Sequence, residues 1–184
     1  GGTVFLRVVF AALLLAAVWR PSVRGLGRRE LALVALFGIS LAGMNGSFYL
    51  ALDRLPLGVA VTFEFVGPLG VAVAGSRKAL DVLWVVLAAA GILLLAGPVG
   101  GDLDAAGIFF ALLAGAFWAA YILLSARVGE EFEGGGGLAL AMIVASALLV
   151  APGVADAGTE LLDPRLLALG AAVAMLSSAI PYSL

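Results

Sequence analysis

The sequence contains no cysteine and no histidine among its 184 residues. The absence of cysteine excludes disulfide bonds, thiol nucleophiles and thiolate metal ligands. The absence of histidine excludes histidine-ligated haem and Ser-His-Asp catalysis. The sequence also has no phosphate-binding glycine loop and no paired-carboxylate motif. We therefore predict that the protein is not an enzyme and that it uses no metal or cofactor.

Charged residues are also scarce, at 12% of the chain with a net charge of −2. They form no basic stripe, so the electrostatic basis for binding the phosphates of a nucleic acid is missing. Apolar residues are abundant instead: 64% of the chain is hydrophobic, and the mean hydropathy is +1.19.

The apolar residues are gathered into seven blocks that short polar loops separate. A helix needs about 20 predominantly apolar residues to cross the hydrocarbon core of a bilayer. Blocks that are apolar all round, without strict alternation, are typical of helices rather than barrel strands. The sequence therefore predicts an all-α polytopic membrane protein with seven visible transmembrane helices. The predicted spans are Thr3–Trp19, Leu31–Leu52, Leu57–Gly75, Val82–Gly97, Ala105–Ser125, Leu138–Val154 and Leu166–Leu184.

Arginine and lysine favour the odd-numbered loops, which hold seven of them, whereas the even-numbered loops hold two. Positively charged loops tend to stay in the cytoplasm. We therefore predict a multi-pass protein of the plasma (inner) membrane whose odd-numbered visible loops are cytoplasmic. In the fifth loop, residues 128–138, a run of glycines begins at Gly134. This composition favours a plain flexible linker over a hinge.

Glu64 lies near the middle of the third apolar block, where an ionised carboxylate costs at least a few kcal/mol. Protonation, a cationic partner or a water-filled cavity would each lower that cost. Gly67 and Pro68 follow within one turn and predict a break in the helix. Broken helices at membrane depth are tolerated where they line a cavity or lie within protein. Glu64 is therefore predicted to line a polar cavity. The alternative is a protonated carboxyl group that forms a hydrogen bond between helices.

Two further predicted helices carry polar residues. Asn45 and Tyr49 share one face of the second helix with Gly38 and Ala42. They could line a pathway, or Asn45 could join two helices. Arg7, early in the first block, could neutralise Glu64 or contact an anionic substrate group. It could equally extend its side chain to the membrane interface.

The fifth and last blocks add aromatic residues and a second proline. Gly107, Ala111, Gly115 and Ala119 predict a close packing face in the fifth block. Trp118, in the same block, could wall a cavity or simply pack. In the last block, Pro181 predicts a second helix break and Tyr182 supplies a phenol.

These residues lie in stretches that resemble the EamA-type drug/metabolite transporters, and within them the threonine/homoserine exporter branch. The resemblance covers nearly the whole chain. Its most specific motifs are Glu64-Phe65-Val66-Gly67-Pro68-Leu69 and Ile180-Pro181-Tyr182-Ser183-Leu184. Further similar stretches are Phe48-Tyr49-Leu50-Ala51-Leu52, Leu55-Pro56-Leu57-Gly58-Val59-Ala60 and residues 116–123.

The resemblance implies ten helices in two inverted repeats, with the substrate bound between them. Residues 3–97 would form the first repeat without its first helix, and residues 105–184 the second without its last two. We therefore expect the sequence to be a fragment of a longer chain.

The resemblance also implies a secondary transporter that exports small amino acids by alternating access, coupled to an ion such as the proton. Its partners would be the lipid bilayer and a small-molecule substrate. Glu64 would bind a proton or the substrate ammonium group, and Asn45, Tyr49 and Tyr182 would line the pathway. Two alternatives stay open: export of another metabolite or drug on the same fold, and a membrane scaffold that transports nothing.

Overall fold

The computed structural model describes residues 2–96, 103–157 and Ala168, and every regular element in this part of the chain is a helix. The prediction of an all-α protein is thus confirmed. The helices are α1 (Gly2–Trp19), α2 (Arg28–Leu52), α3 (Leu57–Glu64), α4 (Val66–Gly75), α5 (Ala79–Ala96), α6 (Ala105–Glu131) and α7 (Gly136–Ala157).

Acidic side chains mark the starts of three helices. Before α2, the Gly27 amide donates to the Glu30 carboxylate at 2.6 Å. At α5, the amides of Arg77 and Lys78 both donate to Asp81 at 3.0 Å. At α6, the Ala106 amide donates to Asp104 at 2.8 Å. These carboxylates satisfy amides that have no partner within the helix, and they interact favourably with the positive end of the helix dipole.

Each of the first six predicted spans coincides with a helical segment, although the third is divided into α3 and α4. The segments Arg28–Leu52, Leu57–Gly75 and Ala105–Glu131 are long and apolar enough to cross a membrane. Shorter apolar helices accompany them. These features agree with a polytopic membrane protein. The seventh predicted span, Leu166–Leu184, lies outside the described residues except for Ala168.

The chain divides into two compact units, and residues 1–42 and 123–184 form the first. Here α1 packs along α7, and the Ser146 hydroxyl donates to the carbonyls of Val8 at 3.3 Å and Met142 at 2.7 Å. Gly38 of α2 lies so close to α7 that a Cβ there would stand 2.7 Å from the Ala141 carbonyl oxygen. Small residues thus permit close helix packing in this unit.

The turn between α6 and α7 belongs to the same unit and differs from the flexible linker predicted for residues 128–138. Because α6 continues to Glu131 and α7 begins at Gly136, only four residues connect them. Gly134 has a φ of +60°, which a side chain rarely tolerates. The indole of Trp19 lies against Gly134 and Gly135, where a Cβ would overlap it. The glycines therefore serve a packed turn.

Residues 43–122 form the second unit, which contains α3, α4 and α5 with the adjoining parts of α2 and α6. Its buried core joins the end of α2, the start of α3 and α6. The core residues are Ala51, Leu55, Val59, Ala60 and Ala111. At the edge of this core, the Arg54 guanidinium lies 3.7 Å from the Asp104 carboxylate and 5.4 Å from the centre of the Phe110 ring.

Candidate functional site

The third apolar block is interrupted at Phe65, between α3 and α4. The Phe65 amide still donates to the Val61 carbonyl at 3.0 Å, and the Leu69 amide donates to the Phe65 carbonyl at 3.0 Å. Between these bonds, the regular partner of the Glu64 carbonyl would be the amide of residue 68. Residue 68 is proline, which has no amide hydrogen and whose ring crowds the carbonyl four residues earlier. The interruption therefore appears before Pro68 rather than at it.

Helix α6 lies directly against this interruption. A Cβ on Gly67 would overlap the backbone carbonyl of Gly115, and a Cβ on Gly115 would overlap the carbonyl oxygen of Glu64. Both glycines thus allow two backbones to touch. One turn further along α6, the Trp118 ring meets the Phe65 ring edge-on, with 4.9 Å between centroids and 66° between planes.

The small-residue face predicted on α6 accounts for this approach. Gly107 packs against Leu55 and Arg54, with a Cβ position 2.7 Å from Leu55 Cγ. Ala111 is fully buried in the core of the second unit, and Gly115 reaches Glu64. A single face of α6 thereby spans the unit from its core to the helix break.

The Glu64 residue itself is 7% exposed. A carboxylate in apolar surroundings is costly unless a proton, a cation or water compensates its charge. Glu64 is therefore suited to bind a cationic group or a proton that arrives from outside.

Asn45 and Tyr49 lie on the part of α2 that belongs to the same unit as Glu64. Asn45 is buried, at 9% exposure, whereas Tyr49 is half-buried. The Tyr49 ring meets the ring of Phe48 edge-on at 6.3 Å between centroids. Two residues before Asn45, Gly43 packs on the Phe117 ring of α6, and a Cβ on Gly43 would lie 2.6 Å from that ring.

The structure thus brings together Glu64, Gly67, Pro68 and Trp118 at one crossing of helices. Arg7 has its backbone in α1, but its side chain lies outside the described residues, as do Pro181 and Tyr182. Among the described residues, no group of three or more His, Cys, Asp or Glu could hold a metal ion.

Sequence reasoning missed two contributors to this crossing. Phe65 was not singled out, although its position three residues before Pro68 marks where the regular helix is interrupted. Gly115 was recognised as a packing residue, but its partner was not predicted. Only a long-range contact identifies that partner as the backbone of Glu64.

Comparison with known proteins finds curated relatives that align with the whole chain. No family model matches it, and no solved structure shows a significant match. The threonine/homoserine exporter RhtA of Escherichia coli (strain K12) is 41% identical over 186 aligned residues, which include all of this chain and 62% of the exporter. The RhtA of Salmonella typhimurium (strain LT2) shows the same identity and coverage.

The names of these relatives denote transport and no chemical conversion, in agreement with the prediction of a protein that is not an enzyme. The chain spans less than two thirds of the length of these relatives. The resemblance predicted from the sequence motifs is confirmed: over its whole length, this chain is similar to the RhtA threonine/homoserine exporters.

Proposed function

We propose that the protein is a multi-pass inner-membrane transporter that exports small amino acids such as threonine and homoserine. The observation that carries this proposal is a buried carboxylate at a helix break, in a chain 41% identical to proteins named as exporters of those amino acids. The bilayer and a small-molecule substrate are then its partners.

In this proposal, the Glu64 carboxylate binds either the ammonium group of the substrate or a coupling proton. Its burial supports both roles, because a cationic group or a proton removes the cost of a buried negative charge. The ammonium group has three donors for carboxylate oxygens. Asn45 and Tyr49 supply polar lining in the same unit, and Tyr182 and Arg7 are further candidates.

Transport would proceed by alternating access in a ten-helix protein of two inverted repeats, driven by an ion. Residues 3–97 would belong to the first repeat and residues 105–184 to the second. The excess of arginine and lysine in the odd-numbered loops supports a cytoplasmic location for those loops.

The test is efflux of labelled threonine and homoserine from preloaded cells that express the complete gene, with Glu64→Gln as the variant. Glutamine keeps the shape of the side chain but lacks the charge. We expect efflux to fall by about tenfold or more, since a hydrogen bond to a charged group contributes roughly 1.5–3 kcal/mol. The matched control is Glu130→Gln, which makes the same change at an exposed position near the end of α6. Normal efflux by Glu64→Gln would overturn the role of Glu64.

A second experiment separates a transporter from a scaffold that transports nothing. Single cysteines at positions 45 and 49, in a cysteine-free version of the complete protein, are treated with a water-soluble thiol reagent. A water-filled pathway predicts that both react. Leu94→Cys is the control, because Leu94 is an apolar residue of α5 with 83% exposure and would face lipid. A scaffold predicts that all three positions stay unreactive.

A further inference from the structure

We propose that α6 fixes the position of Glu64, and that Gly115 is the positioning residue. The inference rests on the proposed function of Glu64 and adds a residue that need not touch the substrate. Two contacts carry it: the backbone contact of Gly115 with Glu64, and the ring contact of Trp118 with Phe65.

The contact at Gly115 is made by backbone on both sides. A Cβ there would overlap the Glu64 carbonyl oxygen and lie 3.2 Å from the Glu64 carbonyl carbon and 3.3 Å from the Gly67 nitrogen. In return, a Cβ on Gly67 would overlap the carbonyl of Gly115. None of these atoms can turn away as a side chain could. A methyl group at position 115 must therefore displace α6 or the α3–α4 junction.

Pro68 explains why the Glu64 carbonyl is directed at α6. In a regular helix this oxygen would accept a hydrogen bond from residue 68, which here has no amide hydrogen. The hydrogen of Gly115 that takes the place of a Cβ points at the same oxygen. A Cα–H···O contact of this kind recurs at close helix crossings and contributes weakly. The proline thus frees the carbonyl, and Gly115 provides the surface on which it rests.

The Trp118 ring supplies the second point of attachment. It contacts the residue that follows Glu64, with the ring centroids 4.9 Å apart. Gly115 and Trp118 are three residues apart on α6, and residues at that spacing share one face of a helix. Glu64 therefore directly precedes the residue that contacts Trp118, and its own carbonyl contacts Gly115. Movement at either contact is transmitted to its carboxylate.

The test measures threonine uptake into inside-out membrane vesicles that contain the complete protein. The variants are Gly115→Ala, Glu64→Gln and the double variant, with Gly70→Ala as the matched control. Gly70 lies on α4 near the junction, but a Cβ there would meet nothing within 4 Å. Gly115→Ala should raise the KM by about tenfold with little change in maximal rate, since misplacement of a group by about 1 Å can cost up to about 100-fold. Gly70→Ala should behave as the unmodified protein.

The double variant shows whether Gly115 acts through Glu64. If it does, adding Gly115→Ala to Glu64→Gln should change the KM no further, because coupled positions are not additive. Fully multiplied effects would mean a merely structural role and would overturn the inference. A KM for Gly115→Ala equal to that of Gly70→Ala would also overturn the inference. If Glu64→Gln were still defective in that case, the proposed function would stand. Normal transport by Glu64→Gln would instead remove the proposed role of Glu64, and only the absence of threonine transport by the unmodified protein would remove the proposed function itself.

Should Gly115→Ala fail to accumulate in the membrane, Phe65→Leu carries the test. Leucine removes the ring contact with Trp118 and introduces no overlap. It should raise the KM by about threefold, since aromatic pairs contribute about 0.5–1.5 kcal/mol beyond their buried area. This effect, too, should vanish in the Glu64→Gln background. An unchanged KM would overturn the inference.

Discussion

The two apolar segments at the centre of the chain have similar lengths but opposite characters. The segment Leu57–Gly75 is divided at Phe65 and buries a carboxylate, whereas α5 (Ala79–Ala96) is continuous and carries no charged residue after Asp81. Their glycines differ in the same way. A Cβ on Gly67 would overlap backbone, while one on Gly91 of α5 would meet nothing within 4 Å.

The difference shows which groups a membrane protein exposes to lipid and which it packs between helices. Trp84 and Leu94 of α5 are 61% and 83% exposed, which a bilayer tolerates because lipid is as apolar as the side chains. Glu64 and the proline break would be expensive in lipid and are instead packed against α6. Hydropathy alone does not distinguish the two segments. The contacts of their small and polar residues do.

The largest expected effect comes from adding a side chain where α4 and α6 touch. Gly67→Ala should destabilise the protein by about 1–3 kcal/mol or more, because added groups in a packed region force the backbone apart. Gly91→Ala should change stability by no more than about 1 kcal/mol, since alanine suits a helix interior better than glycine. Thermal unfolding of the purified complete protein in detergent measures both. Equal midpoints for the two variants would contradict the crossing.

The second prediction removes the break and leaves the crossing glycines in place. Pro68→Ala restores an amide that can donate to the Glu64 carbonyl and should make the segment one continuous helix. Transport should fall by about tenfold, because the carboxylate moves from its position. Pro56→Ala is the control, since Pro56 precedes α3 and interrupts no helix. Efflux assays at matched protein abundance measure this effect. Normal efflux by Pro68→Ala would show that the helix interruption has no role in transport.

The smallest effect concerns the two tryptophans. Trp118→Leu loses the ring contact with Phe65 and should destabilise the protein by about 0.5–1.5 kcal/mol beyond the area lost. Trp84→Leu, on the exposed side of α5, should have an effect within about 0.5 kcal/mol. Denaturant or thermal unfolding can rank them. The reverse ranking would mean that α5, rather than α6, packs within the protein.

Much of the fold could be predicted from hydropathy, because the bilayer imposes a length on each apolar block. The ends of the helices were harder to predict. Helix α6 continues to Glu131, beyond the predicted end at Ser125, because hydropathy marks the membrane core and not the last hydrogen bond. Helix α5 begins at Ala79, before the predicted Val82, because Asp81 binds the amides that precede it.

The candidate site could be predicted only in part. Glu64 stands out in the sequence because an acidic residue in an apolar block is costly. The Glu64 carbonyl contacts Gly115 of α6, and no local sequence pattern indicates which helices pack together. Gly134 and Gly135 are a second example. Their composition predicted a flexible linker, but a long-range contact with the indole of Trp19 makes them part of a packed turn.

The most direct test of the account is efflux of labelled threonine and homoserine from cells that express the complete protein, compared with an empty vector and with Glu64→Gln. We expect the protein to accelerate efflux. Glu64→Gln, present in the membrane at equal abundance, should remove about nine tenths or more of that gain, as the loss of one charged hydrogen bond implies. Efflux equal to that of the empty vector, or undiminished by Glu64→Gln, would contradict it.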